Sequence, residues 1–235
     1  MTTQNSKTII SYNGGSAGDM FTLSCNGEKI DVLTGISVSQ PATLKDYEHR
    51  IKIGESANLL EELNKIPYQF VNTHMLDEVV DREATVYNIV MANKEVQLTT
   101  VYRQMQIQKL RMEVDTNKHS WYYVIKGYVD NKDYQAAAEY WLDNAIKHWL
   151  DRMDYRLNFT NASVLNFDKL YTDDFVDDLL KQGWHHHIPL LRYNHDIWLK
   201  KNKQFTREKT IESMKQKISS MDWDQTEGWI SYSPN

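Results

Sequence analysis

The chain has 235 residues, 41% hydrophobic and 25% charged, with a formal net charge of −5. That size and balance suit one folded domain and exclude a disordered chain, and without a long Lys or Arg run there is no electrostatic footprint for a nucleic-acid partner. Cys25 is the only cysteine, which rules out an internal disulfide framework and multi-cysteine metal sites and leads us to expect a reducing, cytoplasmic setting; no stretch reaches the roughly 18 to 20 apolar residues of a membrane span.

The β-branched run Thr8-Ile9-Ile10 reads as a strand. It leads into Asn13-Gly14-Gly15-Ser16-Ala17-Gly18-Asp19 and then an apolar segment, a pattern of strand, glycine-rich turn and helix. Glycines allow positive φ and close approach of a ligand to the backbone, and the N-terminus of a following helix favours an anion, most often a phosphate. The helix is expected over 19–26 with Gly27 as its C-terminal glycine. An extended stretch is expected over 30–39, a loop over 42–54, and a helix begun by Ser56, carrying Leu59, Leu60, Leu63 and Ile66 and closed by Pro67.

Residues 68–71 form a second predicted strand that runs into Asn72-Thr73-His74, a polar step where parallel sheets hold their ligand groups. A third strand is expected over 84–91, apolar as a buried parallel strand is. A long helix over 94–114 follows, with two apolar stripes. Residues 120–129 fit either a strand or part of a helical hairpin, and 133–153 a helix with Trp141, Leu142, Ala145, Ile146, Trp149 and Met153 in register. A fourth strand over 162–167 precedes a helix capped by Thr172 and closed by Gly183, and helices over 190–202 and 206–221 lead to a tail with Trp223 and Trp229 expected on the surface. The recurring strand, turn and helix units predict a single α/β domain over 1–235, a mostly parallel sheet flanked by helices, with a helical C-terminal part from about residue 190.

Order and spacing of these units resemble the sulfotransferase family, whose nucleotide-binding α/β fold, a three-layer sandwich, is related to P-loop kinases. Gly15-Ser16-Ala17-Gly18-Asp19-Met20 stands where that family has its phosphosulfate loop of the type Pro-Lys-Ser-Gly-Thr-Thr, and Thr73-His74 resembles its Thr-His pair. Val86-Tyr87-Asn88-Ile89-Val90-Met91-Ala92-Asn93 occupies the place of its 3'-phosphate strand, with Thr99 at the position of a phosphate-binding Ser. Val164-Leu165-Asn166-Phe167-Asp168-Lys169-Leu170 resembles its Tyr-Glu-Asp-Leu strand. The compact, polar variant is also similar to sulfotransferase-like proteins encoded by marine bacteriophages, which implies the host cytoplasm as the setting. Ser16 stands in place of the family's loop Lys and Met91 in place of its strand-end Arg; Asp19 adds a negative charge near the loop. Arg103, one helical turn after Thr99, is a candidate replacement cation, and Lys94 and Lys7 are candidates to approach the loop.

The resemblance implies 3'-phosphoadenosine-5'-phosphosulfate as co-substrate, bound by Asn13, Gly14, Gly15, Ser16, Ala17, Gly18, Asp19, Thr99 and Arg103. It implies a hydroxyl-bearing small molecule or glycan as acceptor, with no metal, nucleic acid or membrane involved. His74 is then the general base and the Ser16 hydroxyl a donor to the leaving phosphate. Two other readings remain open: a binding or virion-associated protein that kept the fold without turnover, and a kinase-like phosphoryl transferase, for which the Gly-Lys-Ser/Thr end of the Walker motif is missing. The run His185-His186-His187 reads as a solvated turn rather than a metal site.

Overall fold

The computed structural model describes residues 7–30, 66–74, 76, 85–114, 117, 119–202 and 204–232. The extended stretch beyond Ile30, the loop at 42–54 and the helix begun by Ser56 lie outside the described residues, save Ile66 at its end. In chain order the elements are β1 (Thr8–Ser11), α1 (Gly18–Cys25), β2 (Phe70–Thr73), β3 (Thr85–Val90), α2 (Lys94–Ile107), β4 (Arg111–Glu113) and α3 (Trp121–Asp130). They continue with α4 (Tyr134–Leu157), β5 (Ser163–Asn166), α5 (Phe175–Lys181), α6 (Ile188–Asn202), α7 (Arg207–Ser219) and β6 (Trp229–Ser231). The chain divides into two compact units, Met1–Gln97 with Arg152–Lys203 and Leu98–Asp151 with Gln204–Asn235.

The first unit is α/β. Its four strands are all parallel, in the order β2-β1-β3-β5, and helices flank the sheet. Ile9, Ile10, Val71, Val86 and Ile89 are buried, which is why these strands read as apolar runs without strict alternation. A continuous core joins Ile10, Met20, Phe21, Phe70, Leu165, Phe167, Phe175, Trp184, Leu191 and Trp198. The chain leaves β1 for β2 on one side, and β3 for β5 on the other. The C-terminal ends of β1 and β3 therefore bound a topological switch point, the place where open α/β sheets leave a crevice.

Local signals explain several boundaries. Gly27 has φ 81° and closes α1 in a Schellman motif, with the Glu28 N–H on the Leu23 carbonyl at 2.9 Å and the Gly27 N–H on that of Ser24 at 3.1 Å. Asn93 caps the start of α2, its Oδ1 accepting from the Glu95 N–H at 2.9 Å. The helix after β5 starts later than expected. Its N-cap is Asp174, because the Thr172 hydroxyl instead donates to the Lys169 carbonyl at 3.0 Å.

The second unit corrects two expectations and decides a third. The helix predicted over 94–114 ends at Ile107, and Arg111–Glu113 pairs antiparallel with Trp229–Ser231. Two further bonds, Val114 N–H to Gly228 O at 2.8 Å and Tyr232 N–H to Leu110 O at 3.0 Å, extend the ribbon. A partner strand more than 100 residues away thus overrides local helical periodicity. The tail is accordingly not a surface wrap: Trp223 and Ile230 are buried, although Trp229 stays half exposed with the Arg111 guanidinium over its ring. Residues 121–130 are helical, settling the ambiguity over 120–129.

Lys217 finishes α2. Its buried ammonium donates to the carbonyls of Met105, Gln106 and Gln108 at 3.1, 2.6 and 3.0 Å, groups that a helix end leaves without intrahelical donors. Burial pulls its pKa from 10.5 to about 8. Between those values the unfolded chain holds more protons than the folded one, so stability should rise with pH across that window. Urea titrations from pH 7.5 to 10.5 should show that slope in the native chain and a flatter profile in Lys217→Met.

Candidate functional site

The switch point is built from three strand ends and one distant helix. After Ser11, the Tyr12 N–H donates to the Thr73 carbonyl at 3.1 Å, holding the chain beside β2 as it leaves β1. The turn then closes on itself: the Ser16 N–H donates to the Asn13 carbonyl at 3.1 Å, and the Ser16 hydroxyl donates to the same oxygen. Gly15 and Ala17 both take positive φ, 86° and 57°. Gly18 does not. It is required for space, since a Cβ there would lie 2.2 Å from Cγ of the Tyr12 ring.

Asp19 lies in the first turn of α1. Its Oδ1 accepts from the Tyr12 hydroxyl at 2.6 Å and from Asn72 Nδ2 at 2.9 Å. His74 is exposed, and its Nδ1 lies 3.0 Å from the Tyr12 carbonyl. A carbonyl only accepts, so Nδ1 carries the proton in the neutral ring and the basic lone pair falls on Nε2. The Tyr12 ring meets the imidazole edge-on at 4.6 Å.

The organising cation is Arg156, in the last turn of α4 and buried. Nε donates to Asn13 Oδ1 at 3.1 Å; Nη1 donates to Ser11 Oγ and Asn88 Oδ1, both at 3.0 Å; Nη2 donates to the His74 carbonyl at 2.7 Å. Asn88 returns a bond from Nδ2 to the Arg156 carbonyl at 2.9 Å. One guanidinium therefore joins the end of β1, the glycine turn, the middle of β3 and the residue after β2. Beside it lies a small pocket lined by Asn13, Ser16, Ile89, Val90, Met91, Met153 and Arg156, with room for about one water molecule. One wall is polar and cationic; the other is apolar, with two unbranched methionines that adapt easily to a guest.

No family model, curated protein or solved structure matches the chain.

Of the residues singled out in the sequence, Asn13 to Asp19 and His74 come together here. Thr99 and Arg103 belong to the other unit, Thr99 half-buried on α2 and Arg103 buried. The lysines considered for the loop are committed elsewhere: Lys7 Nζ donates to the carbonyls of Ile66 and Tyr68, and Lys94 Nζ pairs with Asp154 Oδ1 at 2.8 Å. Among the described residues no group of three His, Cys, Asp or Glu could hold a metal ion, and no helix is long and apolar enough to cross a membrane. His195 serves the core, with Nε2 2.8 Å from the Leu170 carbonyl and its ring against Phe175.

Arg156 was not among the residues the sequence singled out, although two signals pointed to it. It follows Met153 by three residues on the stripe that Trp149 and Met153 define, so a cation continues an apolar helix face. Asn88 interrupts an otherwise apolar strand, and a buried amide needs a partner.

Proposed function

We propose that the chain is a cytoplasmic nucleotide-dependent transferase of the sulfotransferase type, moving a sulfuryl group from 3'-phosphoadenosine-5'-phosphosulfate to a hydroxyl on a small molecule or glycan. The observation that supports it is the convergence of the glycine turn, a buried guanidinium and His74 at the switch point between β1 and β3. Arg156 supplies there the positive charge that the turn lacks at Ser16. In the reaction, the acceptor oxygen forms a bond to sulfur while the bond from sulfur to the 5'-phosphate oxygen breaks; the hydroxyl proton passes to His74 Nε2 and adenosine 3',5'-bisphosphate leaves. Charge growing on the leaving phosphate faces the turn's backbone and Arg156. Ser16 joins as a donor once its hydroxyl rotates from the Asn13 carbonyl, and the methionines of the apolar wall make room.

Binding without turnover is the second reading. It is favoured by the commitment of the Ser16 hydroxyl and of several Arg156 donors to protein oxygens.

Calorimetric titration separates these readings. Heat with adenosine 3',5'-bisphosphate and none with ATP and magnesium supports the sulfotransferase-type site, and turnover with the donor then distinguishes transfer from binding. Heat only with ATP and magnesium points to phosphoryl transfer, and heat with neither sinks the nucleotide reading. Within the proposal, Asp19→Asn removes a negative charge from the first turn of α1 and should tighten the bisphosphate by about two- to fivefold at low salt, the scale of a charge at a helix end. An unchanged dissociation constant would place the phosphate away from that turn.

A further inference from the structure

Both outer strands of the parallel sheet end on a side-chain amide. In a parallel pair, alternate residues turn their N–H and C=O groups toward the neighbouring strand. On β5 the Phe167 N–H donates to the Val90 carbonyl at 2.8 Å and Val90 is paired with Asn166, so Leu165 and Phe167 face β3 while Val164 and Asn166 face outward. Gln182, just past α5, meets that outward face. Its Oε1 accepts from the Asn166 N–H at 2.7 Å and its Nε2 donates to the Asn166 carbonyl at 2.9 Å. These are the two backbone groups of Asn166 to which an added strand would bond. Asp178 Oδ2 steadies the carboxamide, accepting from Nε2 at 2.9 Å.

The opposite edge repeats the device. The Thr8 N–H donates to the Gln69 carbonyl, which leaves Phe70 facing outward from β2. There Asn26 Oδ1 accepts from the Phe70 N–H at 3.0 Å and Nδ2 donates to the Phe70 carbonyl at 2.7 Å. The two edges differ in access: β2 is buried along its length, whereas Ser163 and Val164 are exposed, Val164 at 49%.

We propose that these amides are edge plugs, and that Gln182 keeps the accessible strand β5 from pairing with a strand of a second copy of this chain. With Asn166 occupied, Val164 is the one remaining outward residue of β5, too short a ladder to hold an added strand. Removing the Gln182 carboxamide doubles that ladder, to Val164 and Asn166.

Amide hydrogen exchange on the native chain tests the plug without any substitution. Asn166 should exchange on the order of tenfold more slowly than Val164, and Gln182→Ala should abolish the difference. In light scattering, Gln182→Ala should gain mass with concentration where the native chain does not, and adding Val164→Lys should reverse the gain, since an edge lysine resists pairing. Equal exchange at the two native amides, or a folded Gln182→Ala with the native mass profile throughout, overturns the proposal.

Discussion

Replacing Arg156 with methionine should destabilise the first unit by about 3 to 5 kcal/mol, the range seen when one partner of a buried charged network is removed. Methionine roughly fills the volume and donates nothing. Asn13 Oδ1, Ser11 Oγ, Asn88 Oδ1 and the His74 carbonyl would each lose a donor, and Ser11, Asn13 and Asn88 are themselves buried. Each orphaned buried group costs about 1 to 3 kcal/mol, less when water reaches it. Arg156→Lys keeps the charge but not the planar fork, so it should fall between the two. Arg156→Met/Asn88→Leu should recover part of the loss, because removing both partners leaves fewer unmet groups than removing one. Urea unfolding followed by circular dichroism reads all three; a single variant within about 1 kcal/mol of native would mean that water replaces the guanidinium at little cost.

Gly18→Ala should be nearly as severe, at about 3 kcal/mol, the upper end for overpacking a well-filled site. The added methyl would meet three atoms of the Tyr12 ring at 2.2 to 2.5 Å. That ring has little freedom to retreat: it is buried, its hydroxyl is bonded to Asp19, and its backbone is tied to Thr73 and His74. The matching control is Gly127→Ala in α3, where a Cβ meets nothing within 4 Å. There the change should stabilise by about 0.5 to 1 kcal/mol through helix propensity alone. Opposite signs at the two glycines would show that Gly18 is held by contact with Tyr12 and not by a general cost of alanine, and thermal melts of both variants suffice to see them.

Legibility in the sequence followed the range of the interactions. Strands β1 and β3 came from short apolar, β-branched runs and lie where those runs are, because burial is written into each segment separately; β2 instead runs over Phe70–Thr73, two residues later than the run at 68–71, and β5 was found although Ser163 and Val164 stay exposed. The Gly27 closure of α1 was visible for the same reason, as a property of a few adjacent residues. Where a distant partner decides, local pattern misled: 111–113 continues a helical period but pairs with 229–231, and Thr172 has a cap's chemistry but spends its hydroxyl on Lys169.

The candidate site divided along the same line. The turn from Asn13 to Asp19 and the step at His74 were readable, since glycines and a polar strand end mark themselves. Gly18 was read for its φ freedom, whereas what it provides is the space taken by Tyr12. The cation was sought near the loop in sequence or one helical turn from Thr99. The cation that the structure sets against the turn is Arg156, 143 residues from Asn13 and 68 from Asn88, which only the strand order brings together. Spacing along the chain carries no information about which helix end will lie over a switch point.

The proposed binding of a phosphate-bearing nucleotide at this switch point is read by NMR titration with adenosine 3',5'-bisphosphate. Saturable shifts should concentrate on the backbone amides of 14–19, the His74 imidazole and the Arg156 Nε resonance, and Arg156→Lys should weaken them. Shifts confined to other residues, or none at millimolar ligand, would contradict it.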